Sequence, residues 1–126
     1  ARVASVRNLK TGETAGYGRQ FVAEKQSRIA VITIGYADGL PRCLSNGVGQ
    51  VLVQGKKVPI VGRICMDQAL VDISELEEDA VKTGDVVTLI GTDGNETLTA
   101  ADMAEAAGTI TNEILSRLGS RLERYI

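Results

Sequence analysis

Over the first 98 residues or so, short apolar runs alternate with clusters of turn-forming residues, and over the last quarter the apolar spacing changes to that of a helix. Ala1 to Leu9 alternates imperfectly and stops at Lys10-Thr11-Gly12-Glu13, which predicts a strand and a turn, with Thr14 to Val22 returning as the second arm of a hairpin. Ile29 to Ile34 is β-branched and nearly all apolar, as expected of a strand with both faces covered, and it runs into Gly35-Tyr36-Ala37-Asp38-Gly39-Leu40-Pro41. Val51-Leu52-Val53 and Val58-Pro59-Ile60-Val61 flank Gln54-Gly55-Lys56-Lys57, a hairpin signal in which Pro59 marks an edge or a bulge. Arg63 to Ile73 reads as a further strand pair interrupted near Met66-Asp67-Gln68. Val86 to Ile90 reads as a strand after Lys82-Thr83-Gly84-Asp85, with another turn at Asp93-Gly94.

Thr99 followed three residues later by Asp102 resembles a capping box, with Ala100, Met103, Ala104 and Ala107 on one helical face and Gly108 as a stop. A second helix is predicted from about Thr109 to Leu118, with Ile110, Ile114, Leu115 and Leu118 as its apolar stripe. At 100° per residue, Asn112 lies about 135° from the centre of that stripe and points away from the core. The expected fold is mainly β, an antiparallel barrel-like domain ending in two short helices. No repeat or linker divides the chain, so residues 1–126 form one domain. The absence of an initiator Met leads to the expectation of a piece of a longer protein.

Composition changes this picture by what it omits. The chain has 126 residues, 44% hydrophobic and 24% charged, with a formal net charge of -2, and no His or Trp. That length can bury roughly two-thirds of its unfolded surface, so neither disulfides nor metals are needed for stability. The absence of His removes His-based acid/base chemistry and most zinc sites, and no metal is expected; proton transfer falls to Tyr, Lys, Cys or carboxylates. An acidic balance with few aromatic rings argues against nucleic acid as a partner. Cys43 and Cys65 lack a metal-ligand spacing and read as reduced thiols, which points to a cytoplasmic setting. No base stands near Cys65 to make it a nucleophile, and the acidic run Glu75 to Asp79 reads as solvated surface.

Three segments could carry chemistry. Gly16-Tyr17-Gly18 brackets a Tyr with residues that let a ligand approach, although a surface turn would look the same. Gly35 to Gly39 places Tyr36 at the end of a buried strand, where both a functional loop and ordinary β architecture are found. Gly62-Arg63-Ile64-Cys65-Met66-Asp67-Gln68 puts poor strand formers in a strand region, a violation that marks either a site or a bulge.

In this order the three segments resemble the C-terminal domain of the alanine racemases, fold-type III enzymes that use pyridoxal 5'-phosphate. Ser5-Val6-Arg7, Lys82-Thr83-Gly84-Asp85 and Glu113-Ile114 onward add to the resemblance, which covers the whole chain. It implies a head-to-tail homodimer in which a TIM-like barrel, absent from this chain, carries the cofactor lysine and binds most of the cofactor. The mainly β domain of the other subunit closes that site. Tyr17 then matches the tyrosine that acts as second base, in trans. Tyr36 matches a tyrosine at the substrate entrance, and Met66 and Asp67 match residues beside the substrate carboxylate, with the Met66 N–H as a donor. Racemisation needs proton removal on one face of the α-carbon and return on the other, hence two bases.

Asn112 departs from the pattern, because many alanine racemases carry there a Tyr that reaches the cofactor phosphate. An amide is smaller, can both donate and accept, and leaves room for a hydroxymethyl group. This resembles the serine racemases of vancomycin resistance, whose racemase part follows a membrane-embedded domain and supplies D-amino acids for peptidoglycan. The expected substrates are serine and alanine, the parent would be membrane-anchored, and the isolated chain would be inactive. The rivals are an ordinary alanine racemase domain and a non-catalytic β-barrel assembly module, which fold alone does not separate.

Overall fold

A computed structural model describes residues 1–15 and 21–123. Five strands form the main antiparallel sheet: β1 (Val3–Leu9), β4 (Ser27–Ile32), β7 (Ala69–Asp72), β6 (Lys56–Val61) and β5 (Gln50–Val53), in that spatial order. Two small hairpins accompany it, β2 (Thr14–Ala15) with β3 (Phe21–Val22), and β8 (Gly91–Asp93) with β9 (Glu96–Leu98). Helices α1 (Ala100–Ala107) and α2 (Thr111–Ser116) follow.

The apolar run expected to be covered on both faces lies, as far as Ile32, in the interior strand β4, with Ile29, Ala30 and Ile32 almost wholly buried. Ala30 and Ile32 face a core with Val51, Val53, Ile60, Val71 and Val87, while Ile29 joins Leu9, Ala15 and Ala23 in a smaller cluster on the other side. The period-2 alternation of a strand divides neighbouring residues in this way. The β5–β6 hairpin closes on Gln54 (φ 51°) and Gly55 (φ 75°), the two left-handed residues of the turn whose twist matches that of paired strands. Pro59 pairs with Gln50, and the ladder to β7 starts one residue later at Ile60 and Val71, so its missing N–H breaks no bond. Thr99 caps α1 through a reciprocal pair of bonds with Asp102, and Gly108 (φ 73°) ends it.

Four expectations need correction. The described parts of Thr14–Val22 do not pair back onto β1: β2 pairs with β3, and β1 spends its length on β4, where it covers an apolar interior strand. Arg63–Gln68 is not a strand but a loop, closed by the Cys65 N–H donating to the Gln68 carbonyl at 2.9 Å, and only Ala69–Asp72 continues as β7. Val86–Ile90 is not a ladder either. Val86 bridges to Arg2 beside β1 and Thr88 bridges to Leu52 on β5, so this segment joins the two edges of the sheet and cannot run long with one partner. Among the described residues, single bridges and not a full strand link the two edges of this otherwise open five-stranded sheet. Finally, α2 is shorter than predicted and buries Ile114 alone of its stripe, with Ile110 and Leu115 exposed.

Candidate functional site

The strand β4 leads through Ile34 into Gly35 and a 3-10 turn, Tyr36–Asp38. This turn lies directly against the Met66 loop. The Tyr36 N–H donates to the Cys65 carbonyl at 2.9 Å, and the Ala37 N–H donates to the Met66 carbonyl at 3.0 Å. Gly35 makes the approach possible: a Cβ there would meet the Cys65 oxygen at 2.2 Å and the Met66 oxygen at 2.4 Å. Its φ of -146° is ordinary extended backbone, so the glycine is required by space and not by conformation.

Asp38 organises the turn from beneath. Its side chain is 6% exposed, and Oδ2 accepts from the Gly35 N–H at 3.2 Å. Oδ1 accepts from Arg121 Nε at 2.9 Å and pairs with Arg121 Nη2 at 2.8 Å. A buried carboxylate must be met in this way to remain charged. Arg121 Nη1 reaches Asp67 at 2.6 Å, so one guanidinium joins the Tyr36 turn, the Met66 loop and the segment after α2. Asp67 first and Asp38 second hold the Arg121 guanidinium above its already high ordinary pKa. The same segment is fastened by the Gly119 N–H, which donates to the Asp38 carbonyl at 2.9 Å.

Of the sequence-predicted residues, Tyr36, Met66 and Asp67 are brought together, and all three are exposed. Met66 stands 53% exposed, and its N–H donates to no acceptor among the described residues. The Asp67 carboxylate is turned to Arg121. The Arg42 guanidinium lies 5.6 Å from the centroid of the Tyr36 ring, within cation–π range. Both line a depression of about 530 Å³ together with Cys43, Thr109, Glu113 and Arg117. Asn112 is exposed beside Glu113, as its helical angle requires, and its amide makes no hydrogen bond among the described residues. Tyr17 falls between β2 and β3, outside the described residues.

Sequence reasoning missed Asp38, Arg42 and Arg121. A Gly-x-x-Asp spacing that allows a carboxylate to cap its own turn was a signal for Asp38. Nothing local marks Arg121. Both cysteines are free, and the five lysines are all exposed on the surface away from the Tyr36 depression.

The described residues thus form a mainly antiparallel β domain that gathers the exposed Tyr36, Met66 and Asp67 side chains on adjoining loops. The whole chain, residues 1–126, matches the family described as "Alanine racemase, C-terminal domain", and the chain belongs to that family. It is 52% identical over 122 residues to an "Amino-acid racemase" of Enterococcus faecalis, covering 97% of this chain and 17% of that protein. It is 50% identical over 125 residues to the "Alanine racemase" of Cutibacterium acnes, covering 99% of this chain and 32% of that one. Among solved structures it is similar to the alanine racemase of Bartonella henselae with covalently bound pyridoxal phosphate, with a TM-score of 0.90 at 40% identity over 99% of this chain and 33% of that one. The chain thus spans a third or less of the length of these relatives.

Proposed function

We propose that this chain is the C-terminal domain of a pyridoxal-phosphate racemase acting on serine and alanine, and that Tyr17 serves as one of two bases in the active site of a partner subunit. The observation that carries the reading is the whole-chain match to the family, with the residues Tyr36, Met66 and Asn112 all exposed. The donor set suits contact with the cofactor rather than its capture: Asn112 has an exposed amide without a hydrogen bond among the described residues that would be free to meet the phosphate, while the surface lysines leave the covalent anchor to the barrel. When bound, pyridoxal phosphate supplies a sink for the electron pair left by the α-proton.

The chain's own residues do the rest. Tyr17 takes or returns the proton at the substrate α-carbon on the face opposite the barrel's lysine. A phenol ordinarily titrates near 10, so a phenolate at neutral pH needs cationic or hydrogen-bonding neighbours. With no His in the chain, the barrel contributes part of that environment. The Met66 N–H donates to the substrate carboxylate. Tyr36, held under Arg42, borders the way in. Asn112 accepts or donates to a substrate hydroxyl where a Tyr would fill the space.

The Enterococcus faecalis relative carries the broader description "Amino-acid racemase", which is in keeping with a substrate range beyond alanine, and the shares covered make it roughly twice as long as the Cutibacterium acnes enzyme, which is in keeping with a parent that holds a further segment. The exposed apolar side chains of Met66, Ile110 and Leu115 support a covering partner subunit in a head-to-tail dimer. In this reading the product serves peptidoglycan precursors on the cytoplasmic side, in the setting of vancomycin resistance, and residues 1–126 alone are inactive. The test is Tyr17→Phe in the full-length parent, with racemisation and exchange of the α-proton for solvent deuterium both followed from each enantiomer. Racemisation should fall by about a hundredfold or more in both directions alike, since two enantiomers are equal in free energy, while α-proton exchange should be lost chiefly from the enantiomer whose proton Tyr17 removes. Unchanged turnover and exchange would favour the assembly-module reading.

A further inference from the structure

We propose that Arg121 is a positioning residue of this racemase site, which neutralises Asp67 and locks the Met66 loop to the Tyr36 turn so that the Met66 N–H meets the substrate carboxylate without an opposing charge. The inference rests on the functional reading above.

The two arms of the guanidinium do different work. Toward Asp38 it satisfies a carboxylate that is 6% exposed, and this arm stabilises the fold. Toward Asp67 it pairs with a side chain that is 63% exposed, and an ion pair that open contributes at most about 1 kcal/mol to stability. Stability therefore does not account for the second arm. Position does: Asp67 is the residue after Met66, whose N–H is unengaged among the described residues. An amino-acid substrate brought to that N–H presents its carboxylate beside the Asp67 carboxylate. Two anions at such a separation repel, and Arg121 Nη1, 2.6 Å from Asp67, removes the repulsion while turning the side chain aside. The planar fork matters too. Nε and Nη2 serve Asp38 while Nη1 serves Asp67, a division that a single ammonium cannot reproduce.

The experiment compares Arg121→Ala, Arg121→Lys, Asp67→Asn and the doubles of each Arg121 variant with Asp67→Asn in the full-length parent. KM and kcat for L-serine and L-alanine are measured together with thermal unfolding and cofactor absorbance. Arg121→Ala should raise KM about tenfold or more with a much smaller change in kcat. Adding Asp67→Asn should restore most of that loss, because the uncompensated anion is gone. A role confined to bracing Asp38 predicts no such rescue. Should Arg121→Ala fail to fold, Arg121→Lys keeps a cation for Asp38 and should show a smaller KM rise with the same rescue. An unchanged KM in a folded Arg121 variant, or an Asp67→Asn change that adds to the defect, overturns the proposal. A wild-type parent without racemase activity overturns the functional reading and this inference with it; an active parent puts only the inference at stake.

Discussion

Gly35→Ala should damage the fold far more than the loss of one hydrogen's worth of space suggests. The added Cβ meets the Cys65 oxygen at 2.2 Å and the Met66 oxygen at 2.4 Å, and both are backbone atoms that no rotamer change can move. Overpacking a tight site costs about 1–3 kcal/mol. Relief by separating the Tyr36 turn from the Met66 loop also stretches the bonds from Tyr36 N–H and Ala37 N–H, worth about 1 kcal/mol each. The sum, about 3–5 kcal/mol, is a large fraction of the ~5–15 kcal/mol that holds a typical domain. Because φ at Gly35 is -146°, none of this cost is conformational. Gly12→Ala is the matched control, with φ of 88° but nothing within 4 Å of the new methyl, and it should cost only about 1 kcal/mol. Urea unfolding followed by far-ultraviolet circular dichroism reads both. With a slope of about 1–2 kcal/mol per molar, the Gly35→Ala midpoint should fall by roughly 2 M or more. A midpoint shift for Gly35→Ala no larger than that for Gly12→Ala would refute the close-approach argument.

Thr99→Ala removes the acceptor for the Asp102 N–H and should cost about 1 kcal/mol in the same unfolding assay. The Asp102 carboxyl is held below its ordinary value of 3.8, chiefly by the Thr99 backbone N–H and then by the Thr99 side chain. Its stabilisation of α1 is therefore complete above pH 3.8 and is lost as the pH falls through the lower folded-state value, so Asp102→Asn should flatten that part of the acid-unfolding profile. Asn112→Tyr in the full-length parent should move the ratio of serine to alanine turnover toward alanine, read as kcat/KM for the two substrates side by side. An unchanged ratio would remove Asn112 from the account of substrate choice.

Features settled by neighbouring residues were legible in the sequence. The hairpin turn expected over Gln54 to Lys57, which tightens to Gln54-Gly55, the capping pair Thr99 and Asp102, and the covered strand expected over Ile29 to Ile34, which ends at Ile32, each depend on local conformation or on periodicity, and each formed. What failed depended on which distant segment competes for a partner. β1 took β4 instead of the adjacent Thr14–Val22, and Val86–Thr88 split its bonds between two edges, because apolar coverage across the sheet outweighs proximity along the chain. The site shows the same division. Asp67 and Gln68, poor strand residues in a strand region, correctly marked a departure from regular pairing. That Asp67 would be met by Arg121 has no signature in either segment, since the pairing exists only once three remote stretches are packed together.

The Arg121 brace also sets an order of events. Its partner Asp38 lies 83 residues earlier in the chain. Domains begin to fold as they leave the ribosome, from the N-terminal end, at about 5–20 residues per second. The strands can therefore pair, and the Tyr36 turn can dock on the Met66 loop, while the arginine is still unmade. During those seconds the Asp38 carboxylate has neither its cation nor the cover of the Gly119 segment, whose N–H reaches the Asp38 carbonyl in the finished fold. Residues made well after the loop pair complete its charge balance, so a nascent chain stopped just short of Arg121 leaves the site electrostatically unfinished.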